Sequence, residues 1–392
     1  MNIIAKAKSL LSDWSRSPAL RLALLVFIVL RLVITLWMWG VRQIFPQPIQ
    51  PHPVLRPYLG VAMETNPWLE PWQRWDALHY QAIAERGYKA YDSALFVPPL
   101  YPCLMGALAP ALGGNTLLAG MVVSNLAFIG CLMLIYQIAE KETRDPQIAR
   151  RAVIYLAWFP TAIFLLATYT ESLYLLAAMF SLHLATQERW LGAGFWGGIA
   201  ALTRLPGLLI VLPLAYLAWI SYRRTGNYFP WASVGLTMAG AAIFPMYVWL
   251  ALRLPPWTPW FVHSARAKGG IAFLGANVFA TVRRIITDNF LLTDVTDLIL
   301  LSVFLVSTIF IWQRLSRVYF IYQATLLALL LMVMNGMQPL QSAARYVLVL
   351  FPSFIVFGIW GQNPWLNRAI LYTFIFGLFL LSGQFAIWGW IG

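Results

Sequence analysis

Long apolar runs separated by short polar breaks set the first expectation. Apolar stretches fall at about 18–40, 115–139, 151–168, 172–186, 191–203, 205–221, 230–251, 295–313, 317–334, 346–361 and 366–390. A helix rises ~1.5 Å per residue, so about 20 apolar residues cross a hydrocarbon core. The pattern therefore predicts an all-α polytopic membrane protein with about eleven transmembrane helices. The first run is too long for the apolar stretch of a signal peptide and reads as a retained anchor. One further run, 95–112, is broken by Pro98, Pro99, Pro102 and Pro110. Proline interrupts helices, so this run is expected to tuck into or lie along the outer leaflet without crossing.

Charge orients the pattern. The flank before the first run carries Lys6, Lys8, Arg16 and Arg21 against Asp13. Basic residues then mark alternate connections: Lys141, Arg144, Arg150 and Arg151, then Arg223 and Arg224, then Arg314 and Arg317, then Arg368. Cytoplasmic loops are enriched in Lys and Arg, so these connections are expected inside. The segment 41–114, the turns 169–171 and 203–207, and the loops 252–294 and 335–345 are then outside. If 95–112 crossed, every later connection would change side. No internal repeat and no independent soluble unit is evident, so residues 1–392 read as one membrane domain with a first outer loop of about 41–114.

Composition agrees. The chain is 60% hydrophobic and only 10% charged, with mean hydropathy +0.70, far from the balance of a soluble domain. A net charge of +13 needs no nucleic acid, because cytoplasmic anchoring and lipid phosphates account for it. Cys103 and Cys131 lie inside apolar runs without metal-ligand spacing and are expected to pack.

Only 14 acidic residues occur, and most solvate turns; Asp288, Asp294 and Asp297 are expected in or beside the outer loop before a span. Two stand out. Asp76 opens a segment in which Asp76, His79, Tyr80 and Ile83 share one helical face, predicting an amphipathic helix on the outer membrane surface with tryptophans at headgroup level. Asp76 fits a helix N-cap, or a partner for Arg74 or Arg86, as well as a catalytic carboxylate. Glu171 sits between two apolar runs, where an unpaired carboxylate costs up to about 3 kcal/mol; it reads equally as a cap on the following helix or as a cavity-facing group. Arg204 lies in a break between two apolar runs and Arg345 opens a span, both expected on the same outer face. They can snorkel to the interface, or together grip a phosphate, and Arg266 and Lys268 in the loop 262–270 are alternative phosphate contacts.

These residues fall in five ordered motifs. Trp75-Asp76 through Tyr80, Ile83-Ala84 and Gly87-Tyr88 resembles the WDxxxYxxIAxxGY signature of PIG-V-like mannosyltransferases. Phe96-Val97-Pro98-Pro99-Leu100-Tyr101-Pro102 is similar to that family's FFPLYP, and Tyr169-Thr170-Glu171-Ser172-Leu173 to its YSESL. Thr203-Arg204-Leu205-Pro206-Gly207-Leu208 is similar to its TRxxGL. Ser342-Ala343-Ala344-Arg345-Tyr346, with Phe351-Pro352, resembles its SxxRY…FP. Val97, Pro99 and Thr170 depart from the pattern without removing a titratable group.

The resemblance implies a GT-C glycosyltransferase fold and a polyprenyl-phosphate sugar donor, with the active site at the extracytoplasmic face of a cell (inner) membrane. It makes Asp76 the expected catalytic group, and Arg204, Arg345, Glu171, His79, Tyr80 and Tyr346 the expected substrate contacts. The transferred hexose is expected to be mannose and the acceptor a lipid or glycan hydroxyl; compact length suggests a bacterial member. No compact DxD or His cluster is evident, so no metal or other cofactor is expected. A flippase or secondary transporter is the rival reading, and it would place broken helices and ionisable groups at the bilayer midplane in paired halves.

Overall fold

The computed structural model describes residues 17–46, 50–52, 56–91, 94–226, 228–259, 262, 270–287, 291–336 and 338–391. Lys6, Lys8, Asp13, Arg16, Arg266, Lys268 and Asp288 lie outside the described residues. The helices are α1 (Pro18–Ile44), α2 (Asp76–Arg86), α3 (Leu100–Leu108), α4 (Thr116–Thr143), α5 (Pro146–Ala157), α6 (Ile163–Leu166), α7 (Glu171–Ala185) and α8 (Trp190–Thr203). Then come α9 (Val211–Thr225), α10 (Trp231–Leu250), α11 (Ala276–Ile286), α12 (Leu292–Arg314), α13 (Arg317–Met332), α14 (Ala343–Tyr346), α15 (Pro352–Trp360) and α16 (Pro364–Ala386). The described sheet is a two-residue antiparallel pair, β1 (Gly270–Ile271) on β2 (Val333–Met334), in the register Gly270 to Met334.

Six helices among the described residues are long and apolar enough to cross a membrane: Pro18–Ile44, Thr116–Thr143, Leu205–Thr225, Trp231–Leu250, Leu292–Arg314 and Pro364–Ala386. A seventh is counted if the pair Ala343–Val349 and Pro352–Trp360, bent by 87°, forms one span. The other apolar runs give shorter helices than their hydropathy suggests. At 15 residues α7 extends only about 22 Å, short of a ~30 Å hydrocarbon core. These helices stop early because the chain breaks inside the protein. Residues 159–175 are buried throughout, although 158–162 and 167–170 are not helical.

Irregular backbone at such depth must find protein partners, and here it does. The Tyr169 carbonyl accepts from Ser124 Oγ at 2.8 Å, and Thr168 Oγ1 donates to the Leu117 carbonyl at 2.9 Å. The Leu166 carbonyl accepts from Arg31 Nη1 and Asn125 Nδ2, each at 3.2 Å. Ser124 lies about two turns inside the Thr116 end of α4, so this break sits roughly 12 Å down the bundle.

Hydrogen bonds between connections define two ends of the bundle. At one end Lys141 meets Thr186, Glu142 meets Ser316, Arg224 meets Glu188 and Gln362 meets Asp145. At the other, Arg42 meets Glu70, Asn115 meets Glu64, and Arg74 donates to the Ala386 carbonyl. The segment 41–114 thus starts and finishes at the second end, and α3 packs back beside the first half of α4, with Tyr101 donating to the Gly120 carbonyl at 2.9 Å. The proline-broken run does not traverse the bundle.

Close helix contacts rely on small residues, as membrane packing does: a Cβ on Gly240 of α10 would run into Gly198 of α8. Polar side chains tie other spans together. Gln323 of α13 donates to Thr308 of α12 at 2.7 Å and accepts from Ser353 of α15 at 2.9 Å.

Four expectations are corrected. The turns 169–171 and 203–207 are not surface loops, since Tyr169, Glu171, Thr203 and Gly207 are buried. Helix α2 does not lie on the membrane surface: every residue from Ala77 to Ile83 is buried, because α3, α4 and the segment after α16 enclose it. Asp294 and Asp297 stand beside the loop as expected, in the first turns of α12, but are buried there and not solvated. Cys103 is exposed on α3, and of the two cysteines only Cys131 packs in the core.

Candidate active site

Asp76 is held in place by strain and clamps. Trp75 has φ +51° and ψ −117°, a conformation disfavoured for a residue with a Cβ and costing about 1–3 kcal/mol. Its indole fixes it, donating to the Gly389 carbonyl at 3.3 Å and meeting Trp388 and Trp390 edge-on. On the other side Arg74 is fully buried: Nη2 bonds Glu70 at 2.6 Å and the Ala386 carbonyl at 2.9 Å. Burial lowers its pKa and Glu70 opposes that shift. Arg74 and Arg86 are thus engaged elsewhere, Arg86 with the carbonyls of Leu59 and Gly60. Trp75 occupies the N-cap position, so Asp76 is neither that cap nor a partner of either nearby arginine.

Its partner is remote in sequence. Arg345 Nη1 donates to Asp76 Oδ2 at 2.7 Å, and Arg345 Nε reaches Glu171 Oε1. Arg204 Nη1 reaches the same Glu171 oxygen. Three backbone breaks deliver these groups to one point: 167–170 before α7, the 3-10 turn Leu205–Ile210, and the turn before α14. Glu171 follows the N-cap residue Thr170 and spends its carboxylate on two arginines, not on capping. Among the described residues, two carboxylates and two guanidinium groups join in one network of balanced charge. The side chain of Glu171 is fully buried, those of Arg345 and Arg204 are 7% and 12% exposed, and that of Asp76 is 22% exposed. Asp76 is therefore the open end of the network. Glu171 Oε2 is buried without a hydrogen-bond partner among the described residues.

Aromatic rings line the cations. The Arg345 guanidinium lies 4.7 Å from the Tyr169 ring and 4.9 Å from that of Phe164. Arg204 lies 5.5 Å from the Tyr346 ring and 6.0 Å from that of Tyr174, contacts that stabilise a desolvated cation. Tyr169 also donates its hydroxyl to the Arg74 carbonyl at 3.2 Å and accepts from the Asp76 amide at 3.3 Å. Tyr80 packs edge-on against Tyr169, and burial raises its pKa, keeping the phenol protonated. His79 faces a different way, its ring against Tyr91 and Phe96.

The structure thus joins Asp76, Glu171, Arg204 and Arg345 directly, with Tyr80 and Tyr346 beside them. The described contacts of His79 are with the rings of Tyr91 and Phe96, and Arg266 and Lys268 fall outside the described residues. Sequence reasoning missed Tyr169 and Phe164 as ring partners of Arg345. Tyr169 stood next to the motif glutamate and was open to detection, whereas Phe164 sits in an apolar run with nothing to mark it. Among the described residues no three His, Cys, Asp or Glu side chains converge as in a metal site.

The family model for mannosyltransferases of the PIG-V type matches residues 21–229, more than half of the chain. The chain belongs to the PIG-V mannosyltransferase family. The match covers Asp76, Glu171 and Arg204, so three of the four charged groups lie within the recognised part of this membrane glycosyltransferase; Arg345 lies beyond it and is joined to them by the fold. No curated protein matches the chain.

Proposed function

We propose that this mannosyltransferase takes a hexose, mannose, from a polyprenyl phosphate and transfers it to a hydroxyl of a lipid or glycan acceptor at the extracytoplasmic face. The observation that carries the reading is Arg345 spanning Asp76 and Glu171, with Arg204 on the same Glu171 oxygen. In the reaction the acceptor oxygen bonds the anomeric carbon, and the bond from that carbon to the phosphate oxygen breaks. Its electron pair leaves with the polyprenyl phosphate, and the acceptor proton passes to Asp76. Asp76, the most open member, is the general base. Negative charge therefore disappears from Asp76 as it grows on the phosphate. Arg345, released from a neutralised Asp76, turns to the phosphate alongside Arg204, so the charge of the site is conserved through transfer.

Glu171 Oε1 fixes both arginines, and its second oxygen is offered to a sugar hydroxyl. Tyr346 and Tyr80 complete the walls of the sugar site, and His79 lies at its edge. Both carboxylates of the site are already neutralised by arginines, which fits a phosphate gripped by guanidinium groups better than one gripped by a divalent ion. The short, interrupted helices support the GT-C reading, in which eleven segments traverse the membrane around a recessed site. Orientation is supported by charge. The end opposite the site gathers Lys141, Arg144, Arg150, Arg151, Arg189, Arg223, Arg224, Arg314, Arg317 and Arg368 on short connections, where the positive-inside tendency operates; long loops translocate largely regardless of charge.

The test is donor choice in detergent, where no membrane remains to be crossed. Purified protein is given polyprenyl-phosphate mannose or a nucleotide sugar, together with an extract of membrane glycolipids. Mannose transfer from the lipid-linked donor alone is expected. Transfer from the nucleotide sugar would overturn the donor assignment, and no transfer from either, with flipping retained in vesicles, would favour a transporter.

A further inference from the structure

One residue next to the site is held at both of its backbone groups. The Ala344 amide donates to Asp297 Oδ1 at 2.6 Å, and the Ala344 carbonyl accepts from Thr161 Oγ1 at 2.9 Å. That carbonyl belongs to the peptide bond leading into Arg345. The two anchors arrive from elsewhere: Asp297 from α12, 47 positions earlier, and Thr161 from the break after α5, 183 positions earlier. Asp297 is 5% exposed and Thr161 is fully buried.

The turn needs such anchors. Helix α14 has four residues, and it is entered through Ser342 at φ +68°, a left-handed conformation unusual for serine. So short a helix has no stability of its own. The neighbouring carboxylate, Asp294, is already committed to the Leu291 amide at 2.9 Å and to Arg284 at 3.3 Å. Asp297 differs in having no ion-pair partner among the described residues. A carboxylate buried in a membrane domain without a cation is costly, and such groups are kept for function more often than for stability.

We propose that Asp297 is a positioning residue for sugar transfer: it holds the 342–346 turn so that Arg345 stands between Asp76 and Glu171. The inference rests on the reading of Arg345 as a contact to the leaving phosphate. An ionised acceptor makes the stronger bond to an amide, but an asparagine oxygen keeps the same geometry. Misplacing a substrate-positioning group by about 1 Å costs up to about 100-fold in rate.

The experiment measures kcat and acceptor KM for purified, gel-filtered full-length protein with polyprenyl-phosphate mannose. Asp297→Ala is expected to lower kcat about 10- to 100-fold with acceptor KM unchanged, and Asp297→Asn to stay within about threefold of wild type. The double variant Asp297→Ala with Arg345→Lys is expected to be no slower than Arg345→Lys alone, since both losses pass through one side chain. Full activity of Asp297→Ala beside an impaired Arg345→Lys overturns this inference alone. Losses that multiply in the double variant overturn it too, because Asp297 would then act independently of Arg345. Asn as damaging as Ala also contradicts positioning through a hydrogen bond. A fully active Arg345→Lys overturns both this inference and the phosphate reading beneath it.

Discussion

Arg345 donates to Asp76 at 2.7 Å across 269 positions of sequence, while its Nε is held by Glu171. One planar side chain therefore reads two carboxylates from two different breaks in the helical bundle. Its geometry, not only its charge, is what links the outer segment to the core of the protein.

Lysine in place of Arg345 tests that distinction, because an ammonium keeps the charge and lacks the fork. Arg345→Lys is expected to lose about 10²- to 10³-fold in kcat, the usual loss when one preorganised contact to developing charge is removed. Steady-state transfer by purified protein measures it. A fully active variant would make Arg345 a membrane anchor.

Glu171 is the buried counter-ion of two arginines, so Glu171→Gln leaves both undercompensated. Removing one partner of a buried pair costs about 3–5 kcal/mol, and the thermal midpoint in detergent is expected to fall sharply. Adding Arg204→Gln removes one stranded cation and is expected to recover part of the loss. No recovery would mean that the two side chains are not coupled.

The turn that carries Arg204 depends on Gly207, where a Cβ would run into the Ala200 carbonyl. Gly207→Ala is expected to destabilise by about 1–3 kcal/mol and to slow transfer. Gly235 is exposed in α10 with open space around it, so Gly235→Ala is expected to be neutral or to stabilise by up to about 1 kcal/mol. Thermal unfolding of the pair separates a packing requirement from helix propensity.

The reach of the sequence is uneven, for physical reasons. Apolar periodicity reports helices well, so most helical segments were legible, whereas the count of eleven spans was not: six described helices, or seven with the bent pair, are long and apolar enough to cross. It cannot report where a helix stops inside the protein, because buried irregular backbone is as apolar as buried helix; the breaks at 158–162 and 167–168 were therefore hidden inside the predicted span 151–168. Motifs marked Asp76, Glu171, Arg204 and Arg345 individually. Their pairing was not legible, since it depends on three backbone breaks meeting, and the arginines were expected to wait for phosphate instead of resting on carboxylates. Helix α2 read as amphipathic because Asp76, His79, Tyr80 and Ile83 share one face, yet every residue from Ala77 to Ile83 packs against protein.

Topology can be checked with single cysteines in a background lacking Cys103 and Cys131. Asn66, Ala111, Gln147 and Tyr228 are exposed; cysteines at 66 and 111 lie at the site-bearing end, and those at 147 and 228 at the other. An impermeant thiol reagent added to intact cells is expected to label 66 and 111 only. Labelling at 147 and 228 instead would put the site in the cytoplasm, and labelling at both ends would contradict the fold.

The most direct measurement is sugar transfer by Asp76→Asn, with donor binding measured on the same preparation. Asparagine preserves size and hydrogen bonding while removing the base. Donor binding close to wild type is expected, with transfer reduced by about 10²- to 10⁴-fold. Transfer above about a tenth of the wild-type rate would contradict it and assign the proton to another group.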